Sequence, residues 1–160
     1  EKENSKKLLT VLISFLTKLV EPITIKNILR IALMALNIRL MDDFGSELFN
    51  TPRGKEKHNG IDFICKLWQI IVSLVDGTII RKAFPYPNKE YAGIPLENDS
   101  IILKMFYLTP DKKILGLKVK QGDKLGIAQD ISKLYNSKAK KMIPHTHLQI
   151  EGIDPTVLML

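Results

Sequence analysis

From Asp43 onward the apolar residues of this chain fall into short runs cut apart by turn formers, and that spacing is the strongest constraint on its fold. The runs at residues 70–75, 78–84, 101–107, 115–119 and 147–150 have strand length, and Asp, Gly and Pro separate them. This is the pattern of an antiparallel β domain. The Asp76-Gly77 pair between two runs predicts a β-hairpin, and Gln121-Gly122-Asp123 predicts a turn before Leu125. Residues 84–95 hold three prolines and Gly93, which predicts a surface loop.

Residues 1–42 have a different texture. Leu8, Leu12, Phe15, Leu16 and Leu19, then Ile28, Ile31, Ala32, Ala35 and Leu36, recur at helical spacing. The expectation is a pair of α-helices at 5–20 and 23–40, broken at Glu21-Pro22, with Pro22 near the start of the second where its missing N–H costs little. The organisation is then a helical segment over 1–42 and a β domain over 43–160. Lys6-Lys7 followed by an apolar stretch also has the shape of the start of a secretory signal, although the chain begins with Glu1 and no small-residue cleavage site follows directly. Lys18 interrupts the best apolar stretch, so no transmembrane segment is expected.

A net charge of +7 favours acidic surfaces such as polyanionic sugars, nucleic acid or anionic lipid. The lysines at 133, 138, 140 and 141 lack the aromatic interleaving of a single-strand binder, so no specific nucleic-acid partner is expected. A single cysteine, Cys65, excludes a disulfide within the chain and a four-cysteine zinc site. It reads as a small buried hydrophobe.

The three histidines are confined to two motifs, His58-Asn59-Gly60-Ile61-Asp62 and His145-Thr146-His147. In a strand, residues i and i+2 share a face, so His145 and His147 project side by side, and His58 and Asp62 at i and i+4 share a face in either regular structure. Two imidazoles and one carboxylate suit Zn²⁺ with its fourth position left to water. Spacing alone also fits ordinary surface or hydrogen-bonding histidines, and an aspartate after a glycine turn that accepts backbone hydrogen bonds.

The ordered series HNGID, VSLVDGTI, VKQGDKLG, HTHLQI and DPTVL resembles the β domain of lysostaphin-type zinc endopeptidases. Within that superfamily, KMFYLTP at residues 104–110, the spacing from Cys65 to Gly77 and the tail HTHLQIEGIDPTVLML are similar to the leukocyte cell-derived chemotaxin 2 and myeloid protein family. The resemblance covers residues 43–160. It implies a mainly β fold, His58, Asp62 and His147 as metal ligands, and His145 as the catalytic histidine beside them. A peptidase of this superfamily carries a second histidine in a Tyr-x-His-Leu motif, and here the stretch is Met105-Phe106-Tyr107-Leu108, so Tyr107 stands in its place. The chain also lacks the partners of Cys65 that the chemotaxin group uses for disulfides, and Trp68 stands where relatives have small residues, which implies a pocket to receive it.

The leading expectation is accordingly a zinc-binding, non-peptidase module of the chemotaxin kind, secreted and acting on a protein receptor or an acidic glycan. Tyr107, with an unperturbed pKa near 10, is a poor general base at neutral pH. The alternative is an active zinc endopeptidase that cleaves glycine-rich or peptidoglycan cross-links with His145 shuttling the proton.

Overall fold

The computed structural model describes residues 36–46 and 48–158. Thirteen short strands run in chain order among them: β1 (Met41–Asp42), β2 (Gly45–Ser46), β3 (Pro52–Arg53), β4 (Glu56–Lys57), β5 (Ile61–Ile64), β6 (Ile70–Val72), β7 (Gly77–Ile79), β8 (Gly93–Glu97), β9 (Ile102–Phe106), β10 (Leu108–Pro110), β11 (Lys118–Val119), β12 (Lys124–Ala128) and β13 (His145–Ile150). A one-turn helix, α1 (Ser132–Tyr135), precedes β13. All the pairings are antiparallel. They form a six-stranded sheet in the order β11-β7-β8-β9-β13-β5, a three-stranded sheet in the order β10-β12-β6, and two small hairpins, β1-β2 and β3-β4.

Strand alternation separates a core face from a functional face on the large sheet. Leu148 pairs with Ile61 on one side and Met105 on the other, and all three are buried. With Phe63, Ile94, Leu96, Leu103 and Ile150 they form the main cluster, which the small sheet closes with Leu108, Leu125 and Ala128. The residues between them point the opposite way. His147 sits directly across from Asp62 and from Phe106, and His145 lies two residues before it on the same strand. A slip of one residue would bury the whole polar set, so the apolar face fixes the register that assembles the polar one.

Several sequence expectations change. The helix expected over 5–20, and the second up to position 35, lie outside the described residues. Residues 36–40 are not helical: Ile38 bridges Phe63, and the Arg39 N–H donates to the Asp62 carbonyl at 2.8 Å. The edge of β5 offers backbone partners that replace the helical ones, so residues 36–40 pack on the β domain. The expected surface loop over 84–95 ends early, because Gly93–Glu97 is a strand and residues 91–96 are buried. Trp68 needs no pocket: it is 72% exposed. Cys65 is buried, and burial pushes its thiol pKa up to about 11, leaving it protonated and inert at neutral pH.

Asp76-Gly77 is not a hairpin turn. The strands on either side of it, β6 and β7, belong to different sheets, and Ser73, Leu74 and Val75 are buried as the chain crosses between them. Gly77 also lacks the positive φ that a type I′ turn demands. Its role is close packing, since a Cβ there would meet the Leu96 Cδ2 at 2.3 Å and the Glu97 carbonyl oxygen at 2.9 Å. The turn at residues 120–123 does form, with the Asp123 N–H donating to the Lys120 carbonyl at 3.0 Å, but it too joins strands of different sheets.

Gly77→Ala and Gly77→Asn are therefore expected to lower the urea unfolding free energy alike, by about 1–3 kcal/mol through overpacking. A turn glycine would tolerate Asn better than Ala, so an Asn variant with unchanged stability would restore the turn reading.

Candidate metal centre

Two β elements and one bend bring the candidate ligands together. Asp62 comes from β5 and His147 from its neighbour β13, directly across the ladder. His58 lies just past β4, where its N–H donates to the Thr51 carbonyl at 2.8 Å and its carbonyl accepts from Asn50 at 2.7 Å. The bend between His58 and Asp62 requires Gly60, because a Cβ there would lie 2.2 Å from the Leu148 carbonyl oxygen and 2.7 Å from the His147 Nε2.

The three donor atoms converge on one point. His147 Nδ1 lies 2.9 Å from Asp62 Oδ1, His58 Nε2 lies 3.1 Å from His147 Nδ1, and His58 Nε2 lies 3.4 Å from Asp62 Oδ1. A tetrahedral ion with ligands at about 2.0–2.1 Å spaces its donors about 3.3 Å apart, so the triangle fits zinc with small adjustment. The Leu48 carbonyl lies 3.2 Å from His58 Nδ1. A proton placed there leaves Nε2 with its lone pair turned inward, the tautomer that ligation needs. The donor set, two neutral imidazoles and a carboxylate, suits Zn²⁺ among the common biological ions.

Electrostatics describe the same centre. Burial pushes the Asp62 carboxyl up, but hydrogen bonds from His147 and His58 and the charge of His145 outweigh it and hold the group far below the usual carboxylate range. Burial pulls His58 down, yet the Asp62 bond and charge win and raise it. A cation in the triangle would take over the role of those shared protons.

His145 is not one of the three converging donors. Its Nδ1 lies 2.7 Å from the Ile143 carbonyl, to which it donates, and its Nε2 lies 3.4 Å from Asp62 Oδ2. Burial lowers its pKa, and the Asp62 charge opposes that in part. Tyr107 follows β9 with its ring edge-on to His145 at 5.4 Å between centroids. The Tyr107 hydroxyl meets that of Tyr86 at 3.0 Å, and Tyr86 meets Tyr135 at 2.9 Å. Asp62, His145 and the three tyrosines line one cleft of about 540 Å³.

The sequence reading missed Arg39. It is 1% exposed, and its Nη1 donates to Asp62 Oδ2 at 3.2 Å while Nε donates to Asp42 Oδ2 at 2.9 Å. Asp42 in turn accepts the Ile143 N–H at 3.1 Å, and the Ile143 carbonyl holds His145. One buried arginine thus orients a candidate ligand directly and the neighbouring histidine through two further contacts. A basic residue inside an apolar periodic stretch gave no signal of this. Tyr86 and Tyr135 were also missed, because nothing in their spacing ties them to the histidine motifs.

No protein-family model and no curated protein matches the sequence. Solved structures do match in fold. The antimicrobial peptidase lysostaphin from Staphylococcus simulans aligns at 21% identity and a TM-score of 0.54, over 76% of this chain and 50% of that one. A zinc-containing peptidase from Vibrio cholerae aligns at 22% identity and a TM-score of 0.48, over 72% of this chain and 33% of its own. A catalytic-domain variant of the prophage-encoded protein EnpA from Enterococcus faecalis aligns at 18% identity and a TM-score of 0.48, over 73% of this chain and 95% of its own. The chain spans half the length of the lysostaphin it matches. The mainly antiparallel β domain therefore has a fold like that of lysostaphin.

The purified protein is expected to carry one zinc per chain by metal analysis. His147→Ala should lose it and His145→Ala should keep it; equal loss in both would make His145 a ligand. Arg39→Lys keeps the charge but not the two-pronged contact, and zinc affinity in a competition titration should fall about 10- to 100-fold. Chelation should also lower the melting temperature, since the ion binds only the folded triangle and contributes about 2.7 kcal/mol of stability at a free ion concentration 100 times Kd.

Proposed function

We propose that this domain is a zinc-dependent peptidase of the lysostaphin kind, with His58, Asp62 and His147 holding the ion and His145 and Tyr107 serving the substrate. The observation that carries the reading is the donor triangle on the floor of an open cleft, with a buried histidine beside it that is oriented yet outside the triangle. A lysostaphin-like fold supports it. The substrate class is a peptide, with glycine-rich or peptidoglycan cross-links as the first candidates.

When bound, zinc supplies Lewis-acid polarisation of a carbonyl and an activated water. The chain's own groups do the rest. With Nδ1–H committed to Ile143, neutral His145 presents the Nε2 lone pair as a proton acceptor, and its burial keeps it neutral near pH 7. Tyr107 is suited to donate rather than to act as a base. Its hydroxyl meets that of Tyr86, where either can be the donor, and with Tyr86 donating the Tyr107 O–H can serve a substrate oxygen. Burial and the Tyr107 hydroxyl raise the Tyr86 pKa well above the usual phenol, so the Tyr86 hydroxyl stays protonated.

A second reading, the chemotaxin-like module that binds zinc without cleaving anything and is secreted to meet a receptor or acidic glycan, draws on one observation. Tyr107 replaces the histidine expected of a peptidase, and its hydroxyl already meets that of Tyr86. The assay that separates the two is hydrolysis of glycine-rich peptides and peptidoglycan by the zinc-loaded protein. Cleavage is expected, and His145→Ala should abolish it with zinc retained. Tyr107→Phe should cost about 10²–10³ in kcat if the hydroxyl stabilises the oxyanion. Full zinc occupancy with no cleavage of any peptide would leave the module reading standing instead.

A further inference from the structure

The exposed charge at the cleft is mainly basic among the described residues. Among the described residues, four side chains of formal charge line it: Arg39, Arg53, Lys57 and Asp62. Arg39 and Asp62 are buried and bonded to each other, so the charges that reach solvent are Arg53 and Lys57, both basic. Arg53 is fixed by donating to the Ser46 carbonyl at 2.9 Å.

A second ring of cations sits on the aromatic lining. Phe84 and Phe44 both line the cleft. Lys82 and Lys89 place their Nζ atoms 5.1 and 5.9 Å from the Phe84 centroid, and Lys140 lies 5.6 Å from that of Phe44. These cation–π contacts hold flexible side chains near the cleft instead of spreading them through solvent. The nearby acids keep their charge but are fewer than the bases. Asp43 accepts the Lys141 N–H at 2.7 Å, Glu90 accepts from Asn88 at 3.1 Å, and Glu56 stands across the β3-β4 hairpin from Arg53, where it offsets one charge of a hairpin that also carries Lys55 and Lys57.

We infer that the preferred substrate of this cleft is an acidic peptide, one whose carboxylate side chains meet the lysines seated on Phe44 and Phe84. The inference rests on the peptidase reading for the peptide nature of the occupant, and on the lysines and Arg53 for its charge. Carboxylates on a peptide lying against Phe44 and Phe84 would come within reach of lysines already seated there, whereas a neutral glycine-rich peptide would leave that charge unanswered. A ring of exposed charge acts over a Debye length, about 30 Å at 0.01 M salt and about 8 Å at 0.15 M, so the preference is largest at low ionic strength.

The test binds two fluorescent peptides to the zinc-loaded protein, a glycine-rich peptide and the same peptide flanked by glutamates, and follows hydrolysis in parallel. The acidic peptide is expected to bind at least about tenfold tighter at low salt, with the advantage shrinking as salt rises. Lys57→Glu, Lys82→Glu and Lys140→Glu should each reduce that advantage, while Lys124→Glu, outside the cleft, should not. Equal affinity for the two peptides, or an equal effect of Lys124→Glu, overturns the inference. So does a sulfated oligosaccharide that displaces the acidic peptide at a lower concentration than the peptide itself, which would make the cleft a glycan site. Neutral and acidic peptides cleaved at the same kcat/KM sink the preference and leave the peptidase reading intact. Tight binding of the acidic peptide without cleavage does the reverse.

Discussion

The Asp62 carboxylate is the joint on which the site turns. Its Oδ1 faces His58 and His147, and its Oδ2 receives Arg39 and faces His145. A group that is 2% exposed and carries a negative charge is costly to bury unless every lone pair is answered, and here both oxygens are. Because each oxygen has a different set of partners, the carboxylate cannot rotate without losing one. That locks the angle at which Oδ1 is offered to an ion, and it ties the position of His145 to that of the triangle.

The same joint explains why the chain before the β domain matters. Arg39 is shared between Asp62 and Asp42, and removing one partner of such a buried set costs about 3–5 kcal/mol because the others are left uncompensated. The segment that supplies Arg39 is held by backbone bonds along the outer edge of β5, with the Ile64 N–H donating to the Asn37 carbonyl at 2.8 Å and the Arg39 N–H to the Asp62 carbonyl. A domain cut at Asp43 would keep every residue of the two histidine motifs and still lose the group that orients the carboxylate between them.

What the sequence disclosed followed from short-range geometry. His145 and His147 share a face because a strand repeats every two residues, and the antiparallel β class was readable from the spacing of apolar runs. His58 and Asp62 come together as the motif implied, although His58 stands outside β5 and reaches the site through the bend at Gly60 rather than along a regular element. What stayed hidden was long-range. Arg39 meets Asp62 across 23 positions and Asp42 meets Ile143 across 101. Local composition at Arg39 favoured a helix, and nothing near it named the partners. Asp76-Gly77 failed for a related reason: the dipeptide is compatible with a tight turn, but the burial of residues 73–75 sends the chain from one sheet to the other.

Tyr107 occupies a place where the fold constrains a residue that faces the cleft. There the chain leaves β9 of the large sheet for β10 of the small one, with φ at 64°, a left-handed conformation that costs a bulky side chain about 1–3 kcal/mol. Flanking backbone bonds hold it, Leu108 N–H to the Ala92 carbonyl at 3.1 Å and Gln129 N–H to the Tyr107 carbonyl at 2.8 Å. The ring is thereby aimed at His145 and His147 by the sheet crossing itself. A tyrosine at this point keeps a hydrogen-bond donor in the cleft and gives up a group that titrates near neutrality. On the peptidase reading proposed above, His145 is the group left to accept a proton, and the Asp42–Ile143 link that seats it serves that role as well as the fold.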